Sequence, residues 1–281
     1  MIYFTENDID RLIEDDAPLG DLTTFSMDIG NKAGAVTMKA RQEMTISGTE
    51  EVKRVFEKTG ITEVQIKPSS TKLNAGDTLL TAEGKAGNLH LAWRSGLAML
   101  EFASGIATRT QQLVENAKAV NPGITIAGTR KHPPYLKKVA LKALMAGGGI
   151  PHRTGLSDTI LIFSEHLLFS DGIENIAETV SQIKNLQKEK KIVVEAHSIS
   201  EALCIAKAGA DVIQVDKMPP DILKKCVWQC LDIDPNITMI AAGGINAQNV
   251  ELYAQTGVQV LVTSWMYFAQ PADIKVEFNL L

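Results

Sequence analysis

ADVIQVDKMPPDILKKCVWQCLDIDPNITMIAAGGIN, residues 210–246, decides the fold. ADVIQVD (210–216) and ITMIAA (237–242) are short runs rich in Ile and Val, each followed at once by polar or glycine residues. The intervening PPDILKKCVWQCLDI carries a helical period. Strands apolar on both faces and joined through a helix belong to a buried parallel sheet. The same unit recurs in TIAGT (125–129), DTILIF (158–163), KIVVEA (191–196) and VQVLVTS (258–264). Helical patterns follow most of these strands, among them LKKVALKALMAG, IENIAETVSQIKNLQKEK, ISEALCIAKAG and NAQNVELYAQTG. Some six β/α units favour a complete or incomplete barrel over a doubly wound sheet.

Upstream the pattern differs. Thr5-Glu6-Asn7-Asp8 reads as a helix start with a capping box, and Ile9, Leu12 and Ile13 give that helix one apolar face. AVTMKA (35–40), EVQIKP (63–68) and DTLLTAEG (77–84) are strand candidates around a helical EEVKRVFEKTG, so residues 1–85 form a small α/β unit with its own sheet. A long proline-free helical stretch follows, in which Ser104-Gly105 could make a break. The expected division is an N-terminal α/β domain, 1–107, and a β/α barrel domain carrying the active site, 108–281.

The chain has 281 residues, 45% hydrophobic and 22% charged, with formal net charge −5, as in ordinary soluble proteins. Three cysteines (Cys204, Cys226, Cys230) make no disulfide framework and point to reduced thiols in the cytoplasm. Cys226 and Cys230 share a helix face and read as core. No secretory signal opens the chain, and no run of about 18 apolar residues could cross a membrane. The acidic balance argues against general nucleic-acid binding.

In β/α barrels ligands bind at the C-terminal ends of the strands. The residues just past each strand are Arg130 and Lys131, Glu195 and His197, Asp216 and Lys217, Gly243 and Gly244, and Ser264. From residue 116 to 157 there is no Asp or Glu, while Lys118, Arg130, Lys131, Lys137, Lys138, Lys142 and Arg153 occur with His132 and His152. Such a stretch offers a cationic surface to phosphates or carboxylates through Arg130, Lys131 and Arg153; the three helical lysines, Lys137, Lys138 and Lys142, read as a solvated helix face. AAGGIN (241–246) ends a strand in two glycines and then opens a helix, a pattern suited to a phosphate on backbone N–H groups. Glu195 and Asp216 end different strands beside that cradle and suggest Mg²⁺, which takes one or two carboxylates with phosphate oxygens and water. Structural ion pairing is the alternative. No P-loop, GxGxxG after a strand, GxSxG or HExxH is present.

TRK (129–131), GGGIPHRTGLSD (147–158) and His166 resemble the quinolinate phosphoribosyltransferase family, also called nicotinate-nucleotide pyrophosphorylase (carboxylating). GDLTT (20–24), WRSGLAMLEFASGIAT (93–108), VVEA (193–196), VD (215–216), AGGI (242–245) and TGV (256–258) occur in family order. The resemblance covers roughly residues 10–265. It implies an α/β domain with an incomplete, seven-stranded β/α barrel of the type II phosphoribosyltransferase kind, in a homodimer or higher homo-oligomer. It implies transfer of phosphoribose from phosphoribosyl pyrophosphate to a pyridine acid. Arg94 would be lent across the dimer. Arg130, Lys131, His152 and Arg153 would line the base and pyrophosphate pocket, Glu195 and Asp216 would hold Mg²⁺ or ribose hydroxyls, and Gly243, Gly244 and Ser264 would hold the 5′-phosphate.

The departures fall mostly where the acceptor would sit. The family's DTRKTTPGLR is here GTRKHPPYLK (128–137), and its Lys-Asp-Asn-His is Phe163-Ser164-Glu165-His166. That lysine helps to hold a substrate carboxylate in the family. The Asn after the metal-site Asp is Lys217, and paired glutamates become Val193 and Glu195. The pattern resembles the ModD branch, pyrophosphorylases assigned by resemblance and associated with molybdate-transport loci. The expectation is phosphoribosyl transfer to a less charged heterocycle, with quinolinate itself used poorly. The alternatives are a true quinolinate enzyme and a non-catalytic binder of phosphate or an oxyanion such as molybdate.

Overall fold

The computed structural model describes residues 2–170 and 172–281. In chain order the elements are helices α1 (Glu6–Asp16) and α2 (Leu22–Ser26), strands β1 (Ala33–Ala40) and β2 (Met44–Thr45), helix α3 (Thr49–Lys58), strands β3 (Glu63–Ile66), β4 (Lys72–Leu73) and β5 (Thr78–Lys85), and helix α4 (Ala86–Val120). Then follow β6 (Thr125–Gly128), α5 (Lys137–Ala146), β7 (Ile150–Pro151), β8 (Ile160–Ile162), α6 (Ser164–Leu167), α7 (Ile176–Leu186), β9 (Ile192–Ala196) and α8 (Ile199–Lys207). The last are β10 (Val212–Asp216), α9 (Pro220–Ile233), β11 (Thr238–Ala242), α10 (Val250–Ala254), β12 (Val260–Thr263) and β13 (Ile274–Leu280).

Two compact units form. One comprises Met1–Gln111, His132–Gly148 and Met266–Leu281; the other comprises Gln112–Lys131 and Gly149–Trp265. Two segments beyond residue 107 thus belong with the first unit. The reason for the C-terminal one is β13, which pairs antiparallel with β1 from Gly34↔Leu280 to Ala40↔Ile274. The sheet order there is β13-β1-β5-β3.

The capping box expected at the chain start is present: the Thr5 N–H donates to Asp8 Oδ2 at 2.6 Å, and the Asp8 N–H donates to the Thr5 hydroxyl at 3.2 Å. Ser104-Gly105 does not break α4, which runs unbroken over 35 residues. Both residues serve packing instead. The Ser104 hydroxyl accepts the Ser47 N–H at 3.1 Å. A Cβ on Gly105 would stand 2.2 Å from the Gln270 carbonyl oxygen, so only glycine admits that backbone.

Two lysines of the acid-free stretch are paired with acids. Within the first unit Lys138 pairs with Asp8 at 2.5 Å, and Lys142 pairs with Glu50 at 2.7 Å and with Glu51. Burial works against the charge on Asp8, but hydrogen bonds from Lys138 and Thr5 prevail and hold its carboxyl at about 2.

The second unit is the barrel. Its sheet is parallel, seven-stranded and ordered β7-β6-β12-β11-β10-β9-β8. The register aligns Gln214 with Glu195, Asp216 with Ala242, and Ala242 with Val262. Alternate residues face inward. Ala127, Leu161, Val193, Val212, Ile240, Ala242 and Val262 meet there as an apolar plug. In the described residues β7 and β8 are free edges, so the barrel is incomplete.

Candidate functional site

Above the plug, at the C-terminal strand ends, the inward positions become polar. They surround a cavity of about 820 Å³ lined by Arg130, Lys131, His152, Arg153, Glu195, Asp216, Gly243, Gly244 and Ser264. The structure therefore brings together nine of the ten residues singled out from sequence. The tenth, Arg94, lies in the first unit, where it lines another cleft with Trp93 and His90.

Short hydroxyl contacts hold the turn after β6. The Thr129 and Ser264 hydroxyls are 2.6 Å apart, and Thr129 Oγ1 accepts the Lys131 N–H at 3.0 Å. The Thr263 hydroxyl donates to the Ile245 carbonyl at 2.7 Å and accepts the Trp265 N–H at 3.0 Å, tying the loops after β11 and β12 together. The cationic wall is Arg130, Lys131, Arg153 and Lys217. Burial, and then the nearby Arg130, lower the Arg153 pKa, an incentive to gain an anion. Burial, followed by the Arg153 charge, pushes His152 toward its neutral form, so the imidazole adds a hydrogen-bonding group more than a charge.

Gly243 and Gly244 have φ of +88° and +74°. A Cβ on Gly243 would meet Lys217 Cγ at 2.5 Å and Asp216 Oδ1 at 2.6 Å, whereas one on Gly244 would point into open space. Gly243 thus lets the two loops touch, and Gly244 leaves room for a ligand. The expectation that a helix opens directly after them is not met. α10 begins only at Val250, and the Asn246 and Gln248 N–H groups are already taken by the side chains of Asn249 and Asn246. The cradle is a loop of left-handed glycines.

Burial raises the Glu195 pKa against the hydrogen bond from Gln214, and the neighbouring Asp216 charge raises it further. Glu195 Oε2 accepts from Gln214 Nε2 at 2.8 Å, and His197 Nε2 lies 3.5 Å from Oε1. Among the described residues no cluster of three or more His, Cys, Asp or Glu could hold a metal ion. Glu195 and Asp216 are two oxygen donors, a set that Mg²⁺ could use alongside oxygens of a ligand or water.

Two cavity residues, Gln214 and Trp265, were not anticipated from sequence, while Thr129, Glu165 and Asn246 stood in quoted motifs without a role of their own. Gln214 was open to discovery, because it stands two residues before Asp216 and so shares its inward parity. Lys217 adopts φ +55° and its ammonium lies 3.5 Å from Asp216 Oδ2. A lysine in that region is strained. Lys217→Asn is expected to stabilise the fold by about 1 kcal/mol while weakening binding of anions such as pyrophosphate. Thermal melts and calorimetric titration with pyrophosphate check both halves.

Known proteins agree with this architecture. The "Quinolinate phosphoribosyl transferase, N-terminal domain" matches residues 21–104, and the corresponding C-terminal domain matches residues 106–277. A Pasteurella multocida protein named "Putative pyrophosphorylase ModD" is 35% identical over 277 residues, 98% of either chain. A "Probable nicotinate-nucleotide pyrophosphorylase [carboxylating]" of Methanothermobacter thermautotrophicus is 32% identical, covering 96% of this chain and 98% of its own. Among solved structures, nicotinate-nucleotide pyrophosphorylase from Ehrlichia chaffeensis superposes with TM-score 0.89 at 25% identity, covering 99% of this chain and 100% of the other. The Francisella tularensis enzyme has the same fold, with TM-score 0.89 at 22% identity over 99% of both chains. With both domains matched and relatives aligned along nearly its whole length, the chain belongs to the quinolinate phosphoribosyltransferase family, whose members are pentosyltransferases.

Proposed function

We propose that this protein transfers phosphoribose from phosphoribosyl pyrophosphate to the ring nitrogen of an aromatic heterocycle, with Mg²⁺ accompanying the diphosphate. The observation that carries the reading is that one cavity contains four cationic side chains, three carboxylates, Glu195 and Asp216 among them, and the Gly243–Gly244 loop. The 5′-phosphate needs close backbone approach, which Gly244 offers. The pyrophosphate needs fixed cations, which Arg130 and Lys131 offer. In the reaction the ring-nitrogen lone pair forms the bond to ribose C1′, the C1′–O bond to pyrophosphate breaks, and its electron pair leaves on pyrophosphate. Preorganised cations facing that leaving group lower the barrier. Held by Glu195 and Asp216, Mg²⁺ would neutralise the charge on pyrophosphate. The same carboxylates face a ribose centre that becomes cationic. A bare oxyanion binder would gain nothing from them, which disfavours the non-catalytic alternative.

Arg94 is read as a residue for the site of a partner subunit in a homo-oligomer. Its position in the first unit supports this reading, and restored activity on mixing Arg94→Ala with Asp216→Ala protein would test it.

Phe163 lines the cavity where the family resemblance implies a lysine. A second acceptor carboxylate would meet an apolar ring there, and an unpaired buried charge is costly. Turnover of quinolinate is expected to fall at least about tenfold below that of the best acceptor in kcat/KM. Phe163→Lys should narrow the gap. Steady-state pyrophosphate release with quinolinate and other pyridine acids checks this expectation, and comparable rates would overturn the altered-acceptor reading.

A further inference from the structure

The wall around Phe163 carries more information than the loss of a lysine. The Arg153 guanidinium carbon stands 5.7 Å from the centre of the Phe163 ring. The His166 ring lies 5.8 Å from it, tilted by only 17°, and His166 Nδ1 accepts the Phe163 N–H at 3.0 Å. Phe163 is thus held in a stack with one cation and one imidazole. Such a wall favours a planar aromatic ligand.

Gln214 is the second feature. It lines the same cavity yet is only 5% exposed. Its Nε2 is committed to Glu195 at 2.8 Å, and that bond fixes which end of the amide is which. Its Oε1 has no hydrogen-bond partner among the described residues. A buried amide oxygen left unpaired is unfavourable, and only a donor can satisfy it. A carboxylate cannot serve, because it, like the Gln214 oxygen, only accepts. An N–H of the ligand can.

Charge limits the choice further. The pyrophosphate calls on Arg130 and Lys131, and the Lys217 ammonium lies 3.5 Å from Asp216 Oδ2. Arg153, stacked against Phe163, is the one placed to grip a single acidic group of a ring lying on that wall.

We propose that Phe163, Arg153 and Gln214 together select the acceptor, and that it is a planar nitrogen heteroaromatic with one acidic group and an exocyclic N–H donor read by Gln214 Oε1. This inference rests on the phosphoribosyl-transfer reading. The ring nitrogen carries the reacting lone pair; the exocyclic N–H keeps its proton throughout and serves recognition alone.

The test compares nicotinate, its four ring-amino isomers and quinolinate as acceptors, with phosphoribosyl pyrophosphate and Mg²⁺ present and pyrophosphate release as the readout. At least one amino isomer is expected to exceed nicotinate by about tenfold in kcat/KM. Gln214→Met should bring the ratio of amino-isomer to nicotinate kcat/KM down to about one, even where loss of the bond to Glu195 lowers both rates. The wild-type comparison stands even where the variant folds badly, and melting temperatures identify that case. No isomer better than nicotinate, a preference that survives Gln214→Met, or quinolinate as the best acceptor would each overturn the inference while leaving phosphoribosyl transfer in place. No pyrophosphate release with any acceptor, together with no binding of phosphoribosyl pyrophosphate, would overturn the underlying reading as well.

Discussion

Replacing Gly243 by alanine is expected to cut turnover about a hundredfold while the barrel stays folded. The added methyl has no room: it would lie 2.5 Å from Lys217 Cγ, 2.6 Å from Asp216 Oδ1 and 3.0 Å from the Lys217 backbone nitrogen. The side-chain atoms can yield, but the backbone nitrogen is tied to the Ala242 carbonyl at 2.8 Å. The φ of +88° adds strain of about 1 kcal/mol for any residue with a Cβ. The Lys217 and Asp216 side chains must both move, and a small displacement of a positioned carboxylate is costly in rate. Gly244→Ala is the control. Its Cβ meets nothing within 4 Å, so its effect should fall on KM for the phosphorylated substrate. Equal kcat for Gly243→Ala and wild type would mean that Asp216 has no part in the reaction.

Lys142→Ala should destabilise the protein by about 3 kcal/mol without touching the cavity. Lys142 is mostly buried, with a side-chain exposure of 17%, and faces Glu51 at 7% and Glu50 at 49%. Removing the cation leaves the buried Glu51 carboxyl without its partner inside the first unit. The double variant Lys142→Met with Glu51→Leu should recover most of the loss, because an apolar pair needs no compensation. Chemical denaturation of the three proteins measures this directly. The same cluster sets an acid limit. Burial opposes the charge on Glu50, but hydrogen bonds from Lys142 and Ser69 overcome it and hold the carboxyl at about 2, below the usual 4.5. A folded-state pKa below the unfolded one gives stability that is full above about 4.5. It is lost as pH falls toward about 2. Lys142→Ala should flatten that limb, since it removes the cation that sets the difference.

Much of this was legible in the sequence. Short Ile- and Val-rich runs marked the barrel strands because parallel strands bury both faces. The residues just past them converge on one cavity because strand polarity is shared. What escaped notice was non-local. β13 pairs with a strand more than 200 positions earlier, and nothing in IKVEFNL announces that partner. Gly105 looked like a helix breaker, but its reason is the Gln270 carbonyl against it. Lys138 and Lys142 looked like solvated cations until the fold brought acids from α1 and α3 to them. Gln214 reads as a strand residue; its unpaired oxygen exists only once Glu195 has taken its nitrogen.

The central claim is that the cavity binds phosphoribosyl pyrophosphate as a magnesium complex held by Glu195 and Asp216. Isothermal titration with phosphoribosyl pyrophosphate, with and without Mg²⁺, on wild-type protein and Glu195→Ala/Asp216→Ala tests it most directly. The account predicts binding that strengthens with Mg²⁺ in the wild type and loses that dependence in the double variant. Binding indifferent to Mg²⁺ and unchanged by loss of both carboxylates would contradict it.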